Sequence, residues 1–446
     1  YKNGKYETED AYKNRLKSDF TRSVQTLVNH IGKKPRVMVW PYGQFNDVAV
    51  QIARQAGMSH YFSLGEKIIN KVGDKHIGRL LLNAETDLNT VKNYLDGIDE
   101  SKQIQRVLHV DLDYVYDADK AQQAKNLDKL IDRIYRYGVT TVYLQAFSDP
   151  DGDGVADALY FPNKYLPVRD DIFGRIAWQL QTRAGVQVYA WMPVLAFDLR
   201  KSVKEAEYVI DSRTGKPSTK AYLRLSPYNK QNVEIIKSIY NDLSFYAKFN
   251  GILFHDDAFL TDFEGAEGNH AEGMVSPQAK QKTQDLIQLT HQLTDALKPY
   301  FLRGSYSLKT ARNLYASVIT NQNAEEWLAQ NLKTLTENYD TTAIMAMPYM
   351  ENEQPISQKE AYQWFASLIE NVKAQAPLDK VLFEFQAVNW RTQKPIPESE
   401  LIDWMTLLQK NHIYSYGYYP DNFLTNQPDL NKMKPYFSVN TNVGKP

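Results

Sequence analysis

Two adjacent aspartates, Asp256 and Asp257, end the apolar run GILFHDDA, which begins at Gly251. The run is predicted to be a β-strand, and consecutive strand residues point to opposite sides, so the two carboxyl groups can take different roles. Paired carboxyl groups suit general acid–base chemistry, because one group can stay protonated beside another that is ionised. An aspartate that caps a turn or the next helix would give the same pattern. The catalytic interpretation is favoured because this strand belongs to a series of similar strands.

Other apolar runs of the chain also end in acidic, amide or aromatic residues. Barrel enzymes keep their catalytic groups at the carboxyl ends of strands, so these residues are expected at one rim. Carboxyl groups can protonate a leaving oxygen and stabilise an oxocarbenium-like transition state, and aromatic faces stack on sugar rings. The sequence therefore predicts a polysaccharide-binding cleft. Its predicted substrate contacts are Asp111, Asp113, Gln145, Trp191, His255, Tyr349, Glu384, Tyr418, Tyr419 and Asp421.

The strands that must carry these residues are short and almost continuously apolar, as parallel strands buried on both faces should be. A helical pattern ending at Gly138 separates the first two runs. Strand–helix alternation repeated eight times predicts an α/β fold, a closed (β/α)8 TIM-like barrel, over residues 103–446. The runs lie at 107–112, 141–147, 186–193, 251–257, 343–349, 381–386 and 414–420, with a weaker one at 302–313.

Residues 1–102 form a separate block. A helical segment around residues 10–31 leads to the strand RVMVWPYG, the helix VAVQIARQAGM and a short strand near HYFSL. The block is too small to close a barrel of its own, and it is predicted to be part of an α/β domain. The polar stretch at 97–105 marks the expected boundary.

Composition excludes several classes of function. The net charge is −1, from 52 basic and 53 acidic residues, so no bulk charge favours nucleic acid or a membrane surface as a partner. Cysteine is absent, which rules out thiol catalysis, cysteine metal sites and disulfides. No P-loop, HExxH or GxSxG motif occurs, and the eight histidines show no metal-ligand spacing. The first residues, YKNGKYETED, do not form a signal segment.

The loop SDPDGDGVAD (148–157) is similar to the start of a calcium-binding EF-hand loop, with Asp149, Asp151 and Asp153 at alternate positions. The twelfth position, however, is Tyr160, where an EF-hand needs a bidentate glutamate. An Asp/Gly turn on the rim is therefore favoured over a metal site. No metal is predicted for the barrel.

The motifs HVDLDYVYD, TVYLQAFSDPDGDG, YAWMPVLAFDL, RLSPY, GILFHDDA, AIMAMPYM and YGYYPDNF resemble those of the PgaB family. Members of that family process poly-β-1,6-N-acetylglucosamine, a biofilm exopolysaccharide, and the resemblance covers essentially the whole chain. It implies an N-terminal polysaccharide N-deacetylase domain and a C-terminal barrel that binds and cleaves the partially deacetylated polymer. It also implies an acid role for Asp256 or Asp257. By analogy with hexosaminidases that carry adjacent acids, we predict Asp257 as the general acid and Asp256 as its supporting partner.

Residues 1–102 resemble only the last part of the deacetylase domain. VWPYG (39–43) is similar to the R-x-P-Y-G motif of that domain, with Val39 in the arginine position. The resemblance places the ligands of a divalent metal (Zn, Ni, Co or Fe) in an Asp-Asp and a His-x-x-x-His segment, and residues 1–102 contain neither. We therefore expect an incomplete deacetylase domain without deacetylase activity, and a barrel that needs no cofactor.

The resemblance also implies partners and a compartment. It implies a monomer in the periplasm, associated with the outer membrane, that acts on the polysaccharide and contacts an outer-membrane export porin. A different class of function remains open: a binding module could guide the polymer to the porin with the same acids and aromatics and no catalysis. Degradation of purified polymer separates the two.

Overall fold

The structure is a computed structural model, and it describes residues 4–64, 70–79, 104–218, 221–265, 275–302, 307–321 and 323–439. Contacts between Cα atoms divide the chain into two compact units. The N-terminal unit comprises residues 1–103, 244–248 and 295–308, and the barrel unit comprises 104–243, 249–294 and 309–446. The two short segments of the N-terminal unit fall within the range that the sequence analysis gave to the barrel.

In its described residues, the N-terminal unit contains three parallel strands in the order β1-β2-β3 and two helices. The helices are α1 (Glu9–Ile31) and α2 (Asp47–Gln55), and the strands are β1 (Val37–Val39), β2 (His60–Leu64) and β3 (His76–Arg79).

Local sequence signals explain where the two helices begin. The side chain of Thr8 accepts from the backbone N–H of Ala11 at the start of α1, and Asn46 caps α2 through Ala49 in the same way. The first helix ends at Gly32, which adopts the left-handed conformation. Phe20, Trp40, Phe45 and Tyr61 lie in the core of this unit, together with the apolar face of α2.

The barrel unit is a closed barrel of eight parallel strands. In chain order they are β4 (Arg106–Val110), β5 (Thr141–Gln145), β6 (Gln187–Met192), β7 (Gly251–Phe254), β8 (Lys309–Tyr315), β9 (Thr341–Met345), β10 (Val381–Gln386) and β11 (Tyr416–Tyr419). Each strand pairs with its neighbours in the sequence, and β11 closes the barrel against β4. This confirms the predicted (β/α)8 fold.

A helix follows each barrel strand. They are α3 (Lys120–Tyr137), α4 (Phe173–Gln179, continued by a π-turn at Leu180–Ala184), α5 (Lys230–Tyr246), α6 (Pro277–Leu297), α7 (Leu332–Asn338), α8 (Gln358–Gln375), α9 (Glu398–Lys410) and α10 (Leu430–Phe437). One-turn helices lie at Leu112–Val115, Ser317–Thr320, Glu325–Leu328 and Pro348–Glu351, and 3-10 turns at Pro41–Gly43 and Leu378–Lys380. Two-residue strands pair Phe147–Ser148 with Ala158–Leu159, Ile210–Asp211 with Lys216–Pro217, and Val388–Asn389 with Lys394–Pro395.

The fifth barrel strand, β8, lies later in the chain than the weak run at 302–313. The strand was difficult to predict because some of its buried side chains are polar. These side chains form hydrogen bonds inside the barrel, so the strand does not show a continuous apolar run. Arg312 is fully buried, where it donates to the hydroxyl of Tyr339 and to the carbonyl of Ala258. Asn313 donates to Glu384. Hydrogen bonding of this kind removes most of the cost of burying polar groups.

The barrel interior holds a polar and aromatic layer drawn from alternate strands, as barrel packing requires. His109 of β4 lies 2.8 Å from one oxygen of Glu384 of β10, and Asn313 of β8 donates to the other oxygen at 2.7 Å. The ring of His109 packs against that of Trp191 of β6, with 5.2 Å between centroids. This interior layer lies below the residues at the carboxyl ends of the strands.

Candidate active site

The end of β7 holds one carboxylate, Asp256, in a set of hydrogen-bond donors. His255 lies 2.9 Å from its Oδ1 atom, and the hydroxyls of Tyr222 and Tyr315 donate to Oδ2 at 2.8 and 2.9 Å. Burial acts to raise the pKa of Asp256, but the charge and hydrogen bond of His255 and the two tyrosine hydroxyls together lower it. Asp256 is therefore a fixed, ionised carboxylate.

Asp257 has a different environment, although it is the next residue. Its side chain has no exposed surface, and its oxygens accept the backbone N–H groups of Val194, Leu195 and Ala196 at 2.6–3.0 Å. These bonds fix the segment that follows β6. A carboxylate enclosed in this way has no open face toward a ligand, so the geometry favours Asp256 over Asp257 for chemistry. The acid role predicted for Asp257 from the sequence, with Asp256 as its supporting partner, stays a prediction.

His255 lies between the two aspartates and carries a positive charge. Burial acts to lower the pKa of His255, but the carboxylates of Asp256 and Asp257 outweigh it and raise the pKa to about 10. At neutral pH the imidazolium therefore neutralises one of the two negative charges at this strand end. It is a partner of Asp256 and has almost no surface of its own.

The end of β4 holds a second carboxyl group, Asp111, with few partners. The hydroxyl of Tyr419 donates to its Oδ2 atom at 3.3 Å, and among the described residues its buried Oδ1 atom has no hydrogen-bond partner. Burial and the negative charge of Asp113 raise the pKa of Asp111 to about 7. Near pH 7 Asp111 is therefore protonated in about half of the molecules, and its Oδ1 atom is buried without a hydrogen-bond partner among the described residues.

Asp113 lies on the same loop and is fully engaged. It accepts from Gln145, Ser148, Tyr160, Arg169 and the backbone N–H of Asp149. The ion pair with Arg169 holds the loop after β5 against the end of β4. The side chain supplies shape and negative charge to the rim, and it has little remaining capacity to bind a ligand.

A row of rings lies between the two carboxyl groups. The ring of Tyr222 lies 5.6 Å from that of His255, and His255 lies 5.3 Å from Trp191. Trp191 lies 5.5 Å from Tyr419, which lies 6.2 Å from the half-buried Trp390. Among the described residues, the buried indole nitrogen of Trp191 has no hydrogen-bond partner. We term this row of rings the aromatic floor; it runs from the surroundings of Asp256 to those of Asp111.

Several residues predicted as substrate contacts have other partners. Asp421 is buried and forms a bidentate ion pair with Arg133, and Tyr418 is buried against Asp421. Glu384 belongs to the interior layer described above. All three side chains are buried and have partners inside the barrel, and their predicted contact with substrate stays a prediction.

The remaining predicted contacts lie at the mouth. Gln145 donates to Asp113 and accepts from its backbone N–H. The hydroxyl of Tyr349 donates to Glu400 of α9, and its ring is half-buried. Tyr349 therefore lies beside β9, and its hydroxyl contacts Glu400 and not the groups around Asp256.

Sequence reasoning did not single out three residues of the site. Tyr222 lies in the long segment between β6 and α5, where no pattern marks it. Tyr315 ends β8, and correct placement of that strand would have found it. Glu351 follows β9, and its oxygens accept the backbone N–H groups of Ala316 and Ser317. Burial raises the pKa of Glu351 to about 7.

The acidic loop after β5 is folded around Asp149. Its Oδ1 accepts the N–H groups of Gly152 and Asp153, and its Oδ2 accepts that of Gly154. Burial and the neighbouring Asp151 and Asp153 raise the pKa of Asp149 to about 6 despite these bonds. The three carboxylates have ligand atoms within 4.8 Å of one another, but the backbone already engages both oxygens of Asp149. These hydrogen bonds form a tight turn, and the preference for a turn over a metal site stays a prediction.

The N-terminal unit offers no metal centre in its described part. Within residues 4–64 and 70–79, no three histidine, aspartate or glutamate side chains approach closely enough to share an ion. Tyr42 of VWPYG is 88% exposed and has a positive φ of 55°. The described residues of this unit thus offer no ligand set for the metal expected of an intact deacetylase.

A barrel with acids and aromatics at the carboxyl ends of its strands is the architecture of many glycoside hydrolases. A family model described as "Hypothetical glycosyl hydrolase family 13" matches residues 109–419. The chain therefore belongs to this family. A second model, for polysaccharide deacetylases, matches residues 5–61.

Two curated proteins are similar to this chain over different shares of its length. The chain is 38% identical over 459 aligned positions to the poly-beta-1,6-N-acetyl-D-glucosamine N-deacetylase of Escherichia coli K12, covering 98% of this chain and 67% of the relative. It is 28% identical over 100 positions to the enzyme of the same name from Staphylococcus aureus MSSA476, covering 22% of this chain and 34% of the relative.

A solved structure confirms the barrel. The PgaB (BpsB) glycoside hydrolase domain of Bordetella bronchiseptica is 38% identical, with a TM-score of 0.68 over 76% of this chain and 100% of that chain. The resemblance recognised in the sequence is thereby confirmed. None of the helices in the described residues has the length and apolar character needed to cross a membrane.

Proposed function

We propose that this chain hydrolyses partially deacetylated poly-β-1,6-N-acetyl-D-glucosamine at internal bonds, as part of the modification and export of that polymer. The name of the Escherichia coli relative, a poly-beta-1,6-N-acetyl-D-glucosamine N-deacetylase, supplies the substrate class. The observation that supports catalysis is the contrast between two carboxyl groups beside the aromatic floor. One is ionised, Asp256, and one has a pKa of about 7, Asp111.

In the proposed mechanism Asp111 is the general acid. It gives its carboxyl proton to the glycosidic oxygen while the bond between that oxygen and the anomeric carbon breaks, so the leaving sugar departs as an alcohol. The positive charge that develops at the anomeric carbon and ring oxygen is stabilised by the carboxylate of Asp256. A water molecule then adds to the anomeric carbon and returns its proton to Asp111, which restores the starting state.

Asp257 contributes by holding the chain that surrounds the site. Its bonds to the backbone of residues 194–196 fix the segment that follows β6, the strand that carries Trp191. Loss of these bonds would leave three buried N–H groups without an acceptor, and each such group costs about 1–3 kcal/mol. Asp257 is therefore proposed as a positioning residue for the floor of the cleft.

The charge of the rim matches the chemistry of a deacetylated polymer. Each free 2-amino group is an ammonium ion near neutral pH, and carboxylates at the barrel mouth attract it. Ring faces of tryptophan and tyrosine can stack on sugars and also contact ammonium groups, which contributes about 0.5–2 kcal/mol for each contact. We propose that this combination gives preference for a partially deacetylated chain over a fully acetylated one.

The aromatic floor also supports a second candidate, because a binding module needs such a floor and no catalytic acid. In that case the chain would guide the polymer to an outer-membrane export porin. Both candidates place the protein in the periplasm, associated with the outer membrane, and both need only a monomer. They remain proposals drawn from the resemblance.

The experiment that separates the two candidates is incubation of the purified chain with purified polymer of defined deacetylation. Mass spectrometry should show a ladder of oligosaccharides with partially deacetylated polymer and little product with fully acetylated polymer. The variant Asp256→Asn is the control for a contaminating hydrolase. Polymer that stays intact at every degree of deacetylation, while it still binds, would support the binding module.

We also propose that the chain releases no acetate from this polymer, with or without added divalent metal. The described part of the N-terminal unit lacks a ligand set, as shown above. Acetate can be measured by an enzyme-coupled assay. Metal-dependent release at a rate similar to that of the Escherichia coli relative would contradict the proposal.

A further inference from the structure

The ring of Tyr222 lies directly on Gly154 of the acidic loop. A Cβ atom at position 154 would lie 2.0 Å from the Cε1 atom of Tyr222 and 2.4 Å from its Cδ1 atom. No side chain other than hydrogen fits between this backbone and this ring. The conformation of Gly154, with φ of 80°, is also one that glycine adopts without strain.

The same tyrosine reaches the proposed catalytic carboxylate. Its hydroxyl donates to Oδ2 of Asp256 at 2.8 Å, beside the hydroxyl of Tyr315. A Cβ atom 2.0 Å from the ring requires a relative shift of ring and loop of about 1 Å or more, and a shift of that size in the ring weakens or breaks a hydrogen bond of this length. The position of Gly154 thus controls a donor to Asp256.

The loop that carries Gly154 is anchored to the other carboxyl centre. Asp149 gathers the N–H groups of residues 152–154, and its own N–H donates to Asp113 at 3.0 Å. Asp113 in turn is fixed by Arg169 and Tyr160. A continuous set of hydrogen bonds and one ring contact therefore runs from the end of β4 to the end of β7.

We infer that residues 149–154, which we term the positioning loop, set the hydrogen bond from Tyr222 to Asp256, with Gly154 as the residue that fixes the ring. The inference rests on the proposed function for its kinetic consequence, but not for its geometry. Gly154 touches neither substrate nor reacting atoms. It acts through Tyr222.

Loss of the hydrogen bond from Tyr222 would change the pKa of Asp256 in a known direction. The hydrogen bond from Tyr222 favours the ionised form, so its loss raises the pKa of Asp256. The groups that face or neighbour Asp256 are His255, Tyr222, Tyr315, Asp257 and Glu351, and all of them remain in a Gly154 variant. A change in the titration of Asp256 therefore reports the position of the Tyr222 hydroxyl.

The loop provides a matched control. Gly152 lies two residues earlier, has φ of 75°, and also donates its N–H to Asp149, but a Cβ atom there meets nothing within 4 Å. Gly152→Ala thus introduces the same backbone strain without touching Tyr222. Any effect of Gly154→Ala beyond that of Gly152→Ala belongs to the ring contact.

Three kinetic results are expected. Gly154→Ala should lower kcat at least tenfold with a smaller change in KM, and it should move the acid limb of the pH profile to higher pH. Tyr222→Phe, which keeps the ring and removes the hydroxyl, should produce the same two changes. In the Tyr222→Phe background Gly154→Ala should move the acid limb no further, because the hydroxyl is already absent.

A measurement without turnover keeps the inference independent of the proposed function. Carboxyl-carbon NMR of the full chain, with the Asp256 signal assigned by its loss in Asp256→Asn, gives the titration of Asp256 directly. Its midpoint should rise in Gly154→Ala and Tyr222→Phe and stay in place in Gly152→Ala. Equal midpoints in wild type and Gly154→Ala would overturn the inference. If the midpoints move as expected while no variant cleaves polymer, the inference stands and the proposed hydrolysis fails.

Discussion

The carboxyl ends of β4 and β7 each present an aspartate to the barrel mouth, in opposite environments. Asp256 on β7 has donors on both oxygens and an imidazolium beside it, so it is ionised. Asp111 on β4 has one donor, one free oxygen and a negatively charged neighbour, so its pKa rises to about 7. The two residues are of the same type, so the difference comes from the hydrogen-bond donors and charges around each carboxyl group. These surroundings determine whether the group suits stabilisation of positive charge or donation of a proton.

The largest expected effect comes from removal of either carboxyl group. Asp111→Asn and Asp256→Asn should each lower the rate of polymer cleavage by about 100- to 10,000-fold, the range for loss of a general acid or of charge stabilisation. Both variants should still bind oligosaccharide, because the rings of the floor are untouched. Product is measured by mass spectrometry and binding by calorimetry.

The variant Asp257→Asn tests whether Asp257 has a structural role while Asp256 and Asp111 carry out the chemistry. The amide NH2 group would face backbone donors, so this variant should lose thermal stability as well as activity. Asp256→Asn should melt closer to the wild type. If Asp257→Asn melts like the wild type, binds oligosaccharide and is inactive, the acid role predicted from the sequence belongs to Asp257 after all.

The pH profile should show which carboxyl group is protonated. Since Asp111 must carry its proton to act as the acid, kcat/KM should fall above about pH 7, by about tenfold for each further pH unit. The hydrogen bond from Tyr419 lowers the pKa of Asp111, so Tyr419→Phe should move this alkaline limb to higher pH. A profile that stays flat to pH 9 would remove Asp111 from the role.

His255→Gln tests the other centre and should have a smaller effect. Glutamine can still donate to Asp256 but has no charge, so the pKa of Asp256 should rise and the acid limb should move to higher pH. We expect a loss that is larger at pH 6 than at pH 8. The exposed His30 of α1 supplies the control variant His30→Gln, which should leave both limbs in place.

The sequence was sufficient for the barrel fold, because every barrel strand except β8 is marked by a clear apolar run. It was not sufficient to separate residues that face a ligand from residues with internal partners. Asp421 follows β11 as Asp111 follows β4, but Arg133, 288 positions away in the chain, neutralises it. Such pairings depend on which helix packs behind which strand. Pattern alone does not give them.

The order of Asp256 and Asp257 was unreadable for a similar reason. Alternation along a strand predicts that the two side chains diverge, and they do. It does not say that the N–H groups of residues 194–196 lie on one side and two tyrosine hydroxyls on the other. Those donors come from other segments. Tyr222, the least predictable of them, lies in a segment without any periodic signal.

The smallest expected effect concerns stability and has a sign that depends on pH. The pKa of Asp111 is about 7 in the folded chain against 3.8 for an ordinary aspartate, so the folded state holds the proton more tightly than the unfolded state does. The associated stability is present below about pH 4 and is lost as pH rises through 7. Asp111→Asn removes this dependence, so the variant should melt above the wild type at pH 8 and should lose that advantage near pH 4.

The gain at pH 8 should amount to a few kcal/mol at most, since each pKa unit corresponds to about 1.4 kcal/mol. Thermal melting at the two pH values checks this without any substrate. Asp256→Asn is the contrasting variant, because the pKa of Asp256 lies below its ordinary value and its ionised form stabilises the fold. That variant should melt below the wild type at pH 8, with a difference that narrows as the pH falls and Asp256 itself becomes protonated. If both variants shift the melting temperature in the same direction at pH 8, the two strand ends do not differ in charge as the structure indicates, and the assignment of acid and stabilising carboxylate loses its basis.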